Sequence, residues 1–392
     1  MALSALLLSG PLGLGHEMPA RSFRDVLQRS GWQVRTRDSM ALLGSAAAQT
    51  GQRVFGRLMS VPGVYDGLHF AELRTGSRIT QVAEHATARR AVPALRAELD
   101  RAPVDLVLSV FATGALAAGG LRAAGQSAGL ATARDFRAVV YCPDVAAHKL
   151  WVHEGTDLFL VSSPAAAASV RRFRPRAPIA VIPPPVRAAF YETPDQQAAR
   201  AAIGIPADAR CALIIDSGWG FAPLAGAAAG LAAAGVHVLA VAGRNAGVER
   251  ELRELAAGQP NIIPFGFTDR VPELMAAADL VVTLPGAATC AEARVAGRRL
   301  LLLDVMPGHG RDNLLHELEQ GNAEVCGPTA ADVTASALAM LDTGLDTGLD
   351  GARPGADVPR ARRWESAFAA ALGRVGLEMT AEKAEEACAP SS

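Results

Sequence analysis

Short runs of apolar residues alternate with longer, alanine-rich stretches through the first half of the chain. Each run has the length of a buried strand, and each stretch between runs is long enough for a crossover helix. The runs cover residues 3–8, 104–110, 138–142, 157–161 and 179–182. After the first run, apolar residues recur at helical spacing at Ala20, Phe23, Val26 and Leu27. This alternation is typical of a doubly wound domain with a parallel sheet.

The second half of the chain repeats the same alternation. Its apolar runs cover residues 212–215, 236–242, 261–265, 280–283 and 300–304. Between the halves, three consecutive prolines at 183–185 exclude a helix or a central strand and mark a linker. The predicted fold class is therefore α/β, with two Rossmann-like, doubly wound domains over residues 1–184 and 185–340.

A third segment begins near residue 341, where the chain repeats Leu-Asp-Thr-Gly and then contains Pro354 and Pro359. Such a sequence is typical of a flexible linker, which we assign to residues 341–361. Beyond it, apolar residues at helical spacing predict an amphipathic helix within residues 362–392, followed by a disordered tail. The helical positions are Trp364, Phe368, Leu372 and Val375.

The composition narrows the possible partners. Half of the residues are hydrophobic but only 5% are aromatic, so Ala, Leu and Val must build the interior. A formal net charge of -1 creates no field that would attract nucleic acid. The five cysteines lack the spacing of metal ligands and suit a reducing compartment.

The first apolar run lacks the basic leader of a signal peptide and is interpreted as a strand. No later segment approaches the ~20 apolar residues of a spanning helix. We therefore expect a cytoplasmic protein that can still touch a membrane surface. We also expect no resident cofactor.

Ligands of open parallel sheets bind beyond the carboxyl ends of the strands, where helix amino termini offer free amides. In the C-terminal half, four loops at such positions combine glycine with polar residues. They contain Ser217 and Gly218, Gly243 with Arg244 and Asn245, Gly266 and Phe267, and Gly286 with Thr289. Glycine lets a phosphate approach the backbone, and a helix beginning near Thr289 would direct its amides at that anion. With no Asp-x-Asp triplet in the sequence, these loops predict a diphosphate cradle that needs no metal.

Two further features of this half suit a nucleotide sugar. Glu292 follows one turn into the helix near Thr289, where its carboxylate can accept both ribose hydroxyls or merely complement the helix dipole. A fifth loop opens another helix and is rich in hydrogen-bonding groups, as the hydroxyls of a sugar require. It contains His309, Asp312 and Asn313.

His16 is the candidate catalytic residue of the N-terminal half. It follows Gly13 and Gly15 at a predicted helix start, at the carboxyl end of the first strand. A lone histidine is more often structural, but this position favours a general base. The loop itself is not a dinucleotide-binding fingerprint, because Pro11 lies within the turn.

Taken in order, these loops resemble a family of two-lobed, inverting glycosyltransferases of the GT-B type. The family includes monogalactosyldiacylglycerol synthases, processive diacylglycerol glucosyltransferases and the N-acetylglucosaminyltransferase that forms lipid II. The likeness covers most of residues 1–340. Its sharpest elements are Gly15-His16, residues 148–153, 242–245, 266–267 and 275–279, Pro285-Gly286 with Thr289 and Glu292, and Pro307-Gly308 with Asn313.

The resemblance implies a donor nucleotide, usually uridine-linked, on the C-terminal domain, with Glu292 on the ribose and the Gly266-Phe267 loop at the uracil. His16 would act as general base or orient the acceptor hydroxyl. Gly15, Trp151 and His153 would belong to the acceptor side. So would residues 42–78, whose mixture of apolar residues and arginines suits a lipid surface or an ordinary core-facing helix.

The expected function is that of a hexosyltransferase. It would move a sugar from a nucleoside diphosphate, usually UDP, to a hydroxyl of a lipid-like or other apolar acceptor, with inversion and without metal. The expected place is the cytoplasm, with peripheral contact at the inner face of the membrane. Where related lipid glycosyltransferases carry Gln and an acidic residue, this chain has His309 and Gly310, so the sugar does not carry over. The alternatives are a nucleotide-sugar 2-epimerase and a non-catalytic nucleotide-sugar-binding subunit.

Overall fold

The computed structural model describes residues 2–10, 14–44, 77–127, 136–216, 223–305, 308–343 and 363–379. The chain divides into two compact units. Residues 1–185 and 363–392 form the first, and residues 186–362 form the second. The C-terminal helix thus belongs to the first unit. Most of the predicted linker and the predicted disordered tail lie outside the described residues.

The first unit contains a parallel sheet of six strands in the order β2-β1-β3-β4-β5-β6. The strands are β1 (Ser4–Ser9), β2 (Gln33–Asp38), β3 (Leu106–Ser109), β4 (Arg137–Cys142), β5 (Leu158–Val161) and β6 (Ile179–Val181). The helices are α1 (Leu14–Arg29), α2 (Arg78–Arg101), α3 (Ala112–Ser127) and α4 (Pro164–Phe173), with short 3-10 turns at Ser39–Leu43 and Lys149–Trp151.

The second unit has a similar parallel sheet, in the order β12-β11-β10-β7-β8-β9. Its strands are β7 (Cys211–Ile215), β8 (His237–Val241), β9 (Ile262–Phe265), β10 (Leu280–Thr283), β11 (Arg299–Leu303) and β12 (Ala323–Cys326). Its helices are α5 (Gln196–Ile203), α6 (Leu224–Ala233), α7 (Ala246–Gly258), α8 (Val271–Ala277), α9 (Ala287–Val295), α10 (His309–Glu319) and α11 (Ala330–Asp342), after a 3-10 turn at Ala188–Phe190.

The ten predicted strands are present, but β2 and β12 were not predicted. Both are edge strands, and most of their residues are partly or fully exposed. Strand β2 lacks the apolar run that identifies a buried strand, because it contains Arg35, Arg37 and Asp38. Because an edge strand has only one neighbour and a wetter surface, its sequence carries a weaker signal.

The small residues of the composition allow helices to pack closely in the second unit. A Cβ atom on Gly230 of α6 would lie 2.5 Å from the Thr334 hydroxyl oxygen on α11, and one on Gly226 would lie 2.9 Å from Ala330 Cβ. Such approaches leave no room for larger side chains. The scarcity of aromatic residues therefore matches an interior built from closely packed Ala, Gly and Leu.

The C-terminal helix α12 (Arg363–Gly373) packs within the first unit through aromatic side chains. The Phe23 ring centroid lies 5.6 Å from that of Trp364 and 4.8 Å from that of Phe368. Both helix residues are buried. None of the helices that the structure describes has the length and apolar content to cross a bilayer.

Candidate active site

The predicted donor loops that the structure describes share the carboxyl edge of the second sheet. They follow β8, β9, β10 and β11, so parallel pairing places them along one edge. Two of them meet directly, since the Arg244 guanidinium lies 4.7 Å from the centroid of the Phe267 ring. This is within the range of a cation–π interaction. Ser217 and Gly218, predicted for the same edge, lie outside the described residues.

The loop after β8 owes its shape to two residues. Gly243 has a positive φ of 58°, which favours glycine, and the Asn245 side chain caps α7 by accepting a hydrogen bond from the Val248 amide at 3.2 Å. In the next loop, a Cβ atom on Gly266 would lie 2.4 Å from a Glu249 carboxylate oxygen. Gly243 and Asn245 therefore have structural reasons for their identity, alongside the predicted role in donor binding, whereas the flexible Glu249 side chain could move away from a residue larger than Gly266.

Helix α9 provides the amino terminus that the sequence predicts for a diphosphate. It begins at Ala287, slightly earlier than predicted, with Gly286 as its N-cap residue and Thr289 in its first turn. That first turn contains no acidic residue, because Glu292 is the sixth residue of the helix. The alternative that Glu292 only complements the helix dipole is therefore wrong, since that effect fades beyond the first turn.

Glu292 is almost fully buried and forms an ion pair within the second unit. Its residue exposure is 5%, and Arg187 Nε donates a hydrogen bond to its Oε1 at 2.9 Å. Burial raises the pKa of the Glu292 carboxyl, and the neighbouring Arg187 guanidinium acts in the opposite direction. Arg187 thus favours the ionised form that can accept hydrogen bonds from a ribose diol.

Arg187 was missed by the sequence reasoning. It stands shortly after the prolines at 183–185, far along the chain from Glu292, and its guanidinium lies 4.9 Å from the Phe190 ring centroid. The only signal in the sequence is a basic residue at the start of the second domain. A contact across about a hundred residues requires the tertiary structure.

Helix α10 begins at the carboxyl end of β11 and carries the predicted sugar-side residues. Gly308, with a φ of 66°, is its N-cap residue, and His309 is the first helical residue. Asp312 lies in the first turn, and Asn313 follows it and is buried. The structure therefore places all three residues on the first part of α10, which begins at the same sheet edge as the helix that carries Glu292.

In the first unit, His16 lies in the first turn of α1 at the carboxyl edge of the sheet. Its Nδ1 is 2.9 Å from the carbonyl oxygen of Val110, which follows β3. A carbonyl can only accept, so Nδ1 carries the proton and Nε2 carries the lone pair in the neutral ring. The ring lies edge-on to Phe111 at 4.9 Å between centroids, and the Trp151 ring is 6.1 Å away. The tautomer thus suits proton abstraction by Nε2.

The predicted acceptor-side residues separate into two groups. Trp151 is buried beside His16, whereas His153 is held by other partners. His153 Nε2 lies 3.0 Å from the Leu150 carbonyl oxygen, and its Nδ1 lies 3.3 Å from Glu84 Oε1. The hydrogen bond from His153 is the largest cause that lowers the pKa of Glu84. His153 therefore fixes the loop that holds Trp151, while most of the predicted stretch 42–78 lies outside the described residues.

Comparisons with known proteins match parts of this chain to glycosyltransferases. Residues 224–316 match the family model described as glycosyltransferase family 28 C-terminal domain. Over 120 residues the chain is 39% identical to UDP-N-acetylglucosamine–N-acetylmuramyl-(pentapeptide) pyrophosphoryl-undecaprenol N-acetylglucosamine transferase of Mycobacterium bovis (strain BCG / Pasteur 1173P2), which covers 30% of this chain and 29% of that protein. Over 186 residues it is 26% identical to processive diacylglycerol beta-glucosyltransferase of Bacillus licheniformis, covering 46% and 49%.

The chain thus spans less than a third of the first relative and about half of the second. Among solved structures, Arabidopsis thaliana UGT89C1 complexed with UDP-L-rhamnose is similar over 99% of this chain and 98% of that one, with a TM-score of 0.57 and 12% identity, a likeness of fold alone. The comparisons confirm the predicted α/β fold class of two Rossmann-like domains and support the predicted class of enzyme. Residues 224–316 are therefore similar to the C-terminal domain of glycosyltransferase family 28, in agreement with the resemblance that the sequence implied.

Proposed function

We propose that the chain is a glycosyltransferase that moves a hexose from a UDP-sugar to a hydroxyl of a lipid-like acceptor, with inversion and without metal. The observation that carries the proposal is the position of Glu292. Glu292 is buried on helix α9, which begins after β10 at the carboxyl edge of the second sheet, within the segment that matches the family 28 model. A UDP donor is supported by the name of the Mycobacterium relative, and a lipid-like acceptor by the names of both relatives.

The proposed reaction is a single displacement at the anomeric carbon. His16 Nε2 takes the proton of the acceptor hydroxyl while the hydroxyl oxygen forms a bond to the anomeric carbon. The bond between that carbon and the diphosphate oxygen breaks, and its electron pair leaves with UDP. Because attack and departure occur on opposite faces, the configuration inverts.

The leaving diphosphate would be stabilised by groups at the carboxyl edge of the second sheet. The amino termini of α9 and α10 supply backbone amides, and Arg244 supplies a positive charge. Preorganised charge of this kind commonly makes the largest single contribution to the rate enhancement of an enzyme. General-base assistance accelerates a reaction by about two to four decades. The proposed reaction therefore needs no divalent ion.

The proposed cellular setting follows from the acceptor. The names of the relatives contain undecaprenol and diacylglycerol, and long apolar chains of this kind partition into a membrane. We infer that the protein works in the cytoplasm and contacts the inner face of the membrane peripherally. Sedimentation with anionic lipid vesicles is the expected result, and a protein that stays in the supernatant with every lipid composition would contradict this part.

A donor screen tests the proposal. Purified protein is incubated with uridine- and thymidine-linked sugars and lipid acceptors, in the presence of a chelator, and release of the nucleoside diphosphate is measured. We expect release with a uridine-linked donor. No release with any donor and acceptor would refute the transferase assignment, and turnover that the chelator abolishes would refute metal independence.

The His16→Ala variant tests the catalytic base in the same assay. We expect turnover to fall by about two to four decades, while the affinity for UDP stays within about twofold, because His16 belongs to the first unit. His85→Ala, which changes an exposed histidine of α2, serves as the matched control and should keep wild-type turnover. Equal turnover of wild type and His16→Ala would instead favour a binding subunit or another base.

A further inference from the structure

The second unit contains a buried arginine at the edge of the sheet opposite to the donor loops. Arg298 lies just before β11, and its neighbours Asp279 and Cys211 lie just before β10 and at the start of β7. Parallel pairing of these strands places all three at the amino edge of the sheet. The predicted donor residues follow the carboxyl ends of the strands, so this group lies outside the proposed active site.

The backbone directs the Arg298 side chain inward. Helix α9 ends with Gly297 in the left-handed conformation, at a φ of 66°, and the Arg298 amide donates to the Ala293 carbonyl at 2.9 Å. Together with the bond from the Gly297 amide to Arg294, this is a Schellman motif. The residue after the glycine of that motif is commonly apolar and packs on the helix. Here an arginine occupies that position, and its exposure is only 7%.

The buried guanidinium has no acceptor in the part of the chain that the structure describes. Its Nε is buried without a hydrogen-bond partner. Both carboxylate oxygens of Asp279 accept hydrogen bonds from other residues. Oδ1 accepts one from Arg200 Nη2 at 2.7 Å, and Oδ2 accepts one from the Cys211 amide at 2.9 Å. Gln196 Nε2 also donates to Asp279 Oδ1, at 3.0 Å.

The charges around Arg298 do not balance. Arg200 and Asp279 neutralise each other in a close ion pair, which leaves Arg298 as the uncompensated cation. Burial is the largest cause that lowers the pKa of Arg298, Asp279 raises it, and Arg200 lowers it again. A buried charge without a partner is costly, since desolvation is not repaid by a hydrogen bond. The carbonyl groups at the end of α9 can offset part of this cost.

We propose that Arg298 forms a binding site for a small oxyanion, phosphate being the probe, at the amino edge of the second sheet. A guanidinium presents parallel N–H donors that match two oxygens of one anion, which chloride cannot use. Arg298 and Arg200 are both buried, so a ligand that reaches the Arg298 guanidinium has to be small. The site is independent of the proposed transferase activity, because it uses none of the donor residues.

The test compares thermal unfolding of the full-length protein in phosphate, acetate and chloride at one ionic strength. We expect phosphate to raise the Tm of the wild type by about 3 °C or more relative to chloride, as a ligand of the folded state does. Arg298→Leu should lose this difference in Tm. Arg298→Lys keeps the positive charge but not the parallel N–H donors of the guanidinium, so it should keep only part of the difference. A larger shift in acetate than in phosphate would assign the site to carboxylates and overturn the choice of phosphate.

Two controls separate this site from other effects. Arg250→Leu removes an exposed arginine of α7 and should keep the full phosphate effect, which excludes general screening of charge. Phosphate that binds instead at the donor loops would stabilise Arg298→Leu as much as the wild type, and that result would overturn the proposal. The proposal would also be overturned if the Tm of the wild type were the same in all three salts and Arg298→Leu were more stable than the wild type. Arg298 would then be only an unpaired cation at a helix end.

Discussion

Glu292 was predicted to bind the ribose of the donor, whereas its ion pair with Arg187 was not predicted. Its carboxylate is buried and held by Arg187 through one oxygen, which leaves acceptor positions on the other oxygen for a ribose hydroxyl. Burial raises the pKa of the carboxyl, so protonation occurs at higher pH than for an exposed glutamate. Hydrogen bonds from hydroxyl groups to an ionised carboxylate are stronger than those to a neutral one. Nucleotide affinity should therefore depend on pH in the mildly acidic range.

The pH dependence of UDP affinity, measured by titration calorimetry, tests this role of Glu292. As the pH falls from neutral into the acidic range, we expect the wild type to lose more affinity for UDP than Glu292→Gln does, because burial raises the pKa of the Glu292 carboxyl and only the wild type loses an ionised carboxylate. The comparison removes the titration of the UDP phosphate, which is common to both proteins. At neutral pH, Glu292→Gln should bind UDP more weakly than the wild type. Parallel losses in both proteins would show that Glu292 does not titrate in binding.

At the scale of elements, the turn that carries Trp151 is seated closely against α3. A Cβ atom on Gly155 would lie 2.1 Å from the Gly119 carbonyl oxygen and 2.6 Å from the Ala123 amide nitrogen. A Cβ atom on Gly119 would lie 2.6 Å from His153 Cβ. Backbone atoms cannot move aside as the end of a flexible side chain can. These two glycines therefore set the distance between the helix and the loop beside His16.

Gly155→Ala should accordingly destabilise the protein by about 1–3 kcal/mol, the usual cost of overpacking. The free energy of unfolding in urea measures this effect. Gly373→Ala is the control in the same unit, because no heavy atom outside its own helix surroundings lies within 4 Å of the added Cβ, and it should stay within about 1 kcal/mol of the wild type. Equal stability of Gly155→Ala and the wild type would mean that the loop can shift at little cost.

At the scale of the whole molecule, the chain leaves the first unit, forms the second and returns. Helix α12 places Trp364 and Phe368 against Phe23, and Arg29 forms an ion pair with Glu365 at 2.8 Å. The Arg374 guanidinium also donates to the Ile179 carbonyl oxygen at 3.0 Å. Helix α12 is thus part of the core of the first unit, and disrupting its contacts should affect that unit.

Phe368→Ala should lower the stability of the first unit by about 3–5 kcal/mol, since a fully buried aromatic ring is removed. Calorimetric unfolding should show the change, while UDP affinity below the unfolding temperature stays within about twofold. Glu365→Ala removes only a partly exposed ion pair and should cost less than about 1 kcal/mol. Loss of UDP binding in folded Phe368→Ala would contradict the assignment of donor binding to the second unit alone.

The sequence allowed the central strands to be predicted with small errors at their ends. The predicted run 104–110, for example, contains β3 (Leu106–Ser109), and the predicted run 280–283 coincides with β10. Buried parallel strands carry continuous apolar runs, which makes them visible in a sequence. The edge strand β2 was missed because its charged side chains face solvent. The resemblance to two-lobed glycosyltransferases was visible because the loops that carry it occur in a fixed order along the chain.

The sequence by itself determined the fold class and the loops with glycine and polar residues that follow the strands of the second sheet, because apolar periodicity and glycine positions are local properties of the chain. Only the tertiary structure decided how the side chains pair. The contact of Arg187 with Glu292, the Val110 carbonyl that fixes the His16 tautomer and the buried Arg298 all join residues or surroundings that are distant in sequence. Pairing of this kind depends on folding many elements together, and no spacing along the chain encodes it.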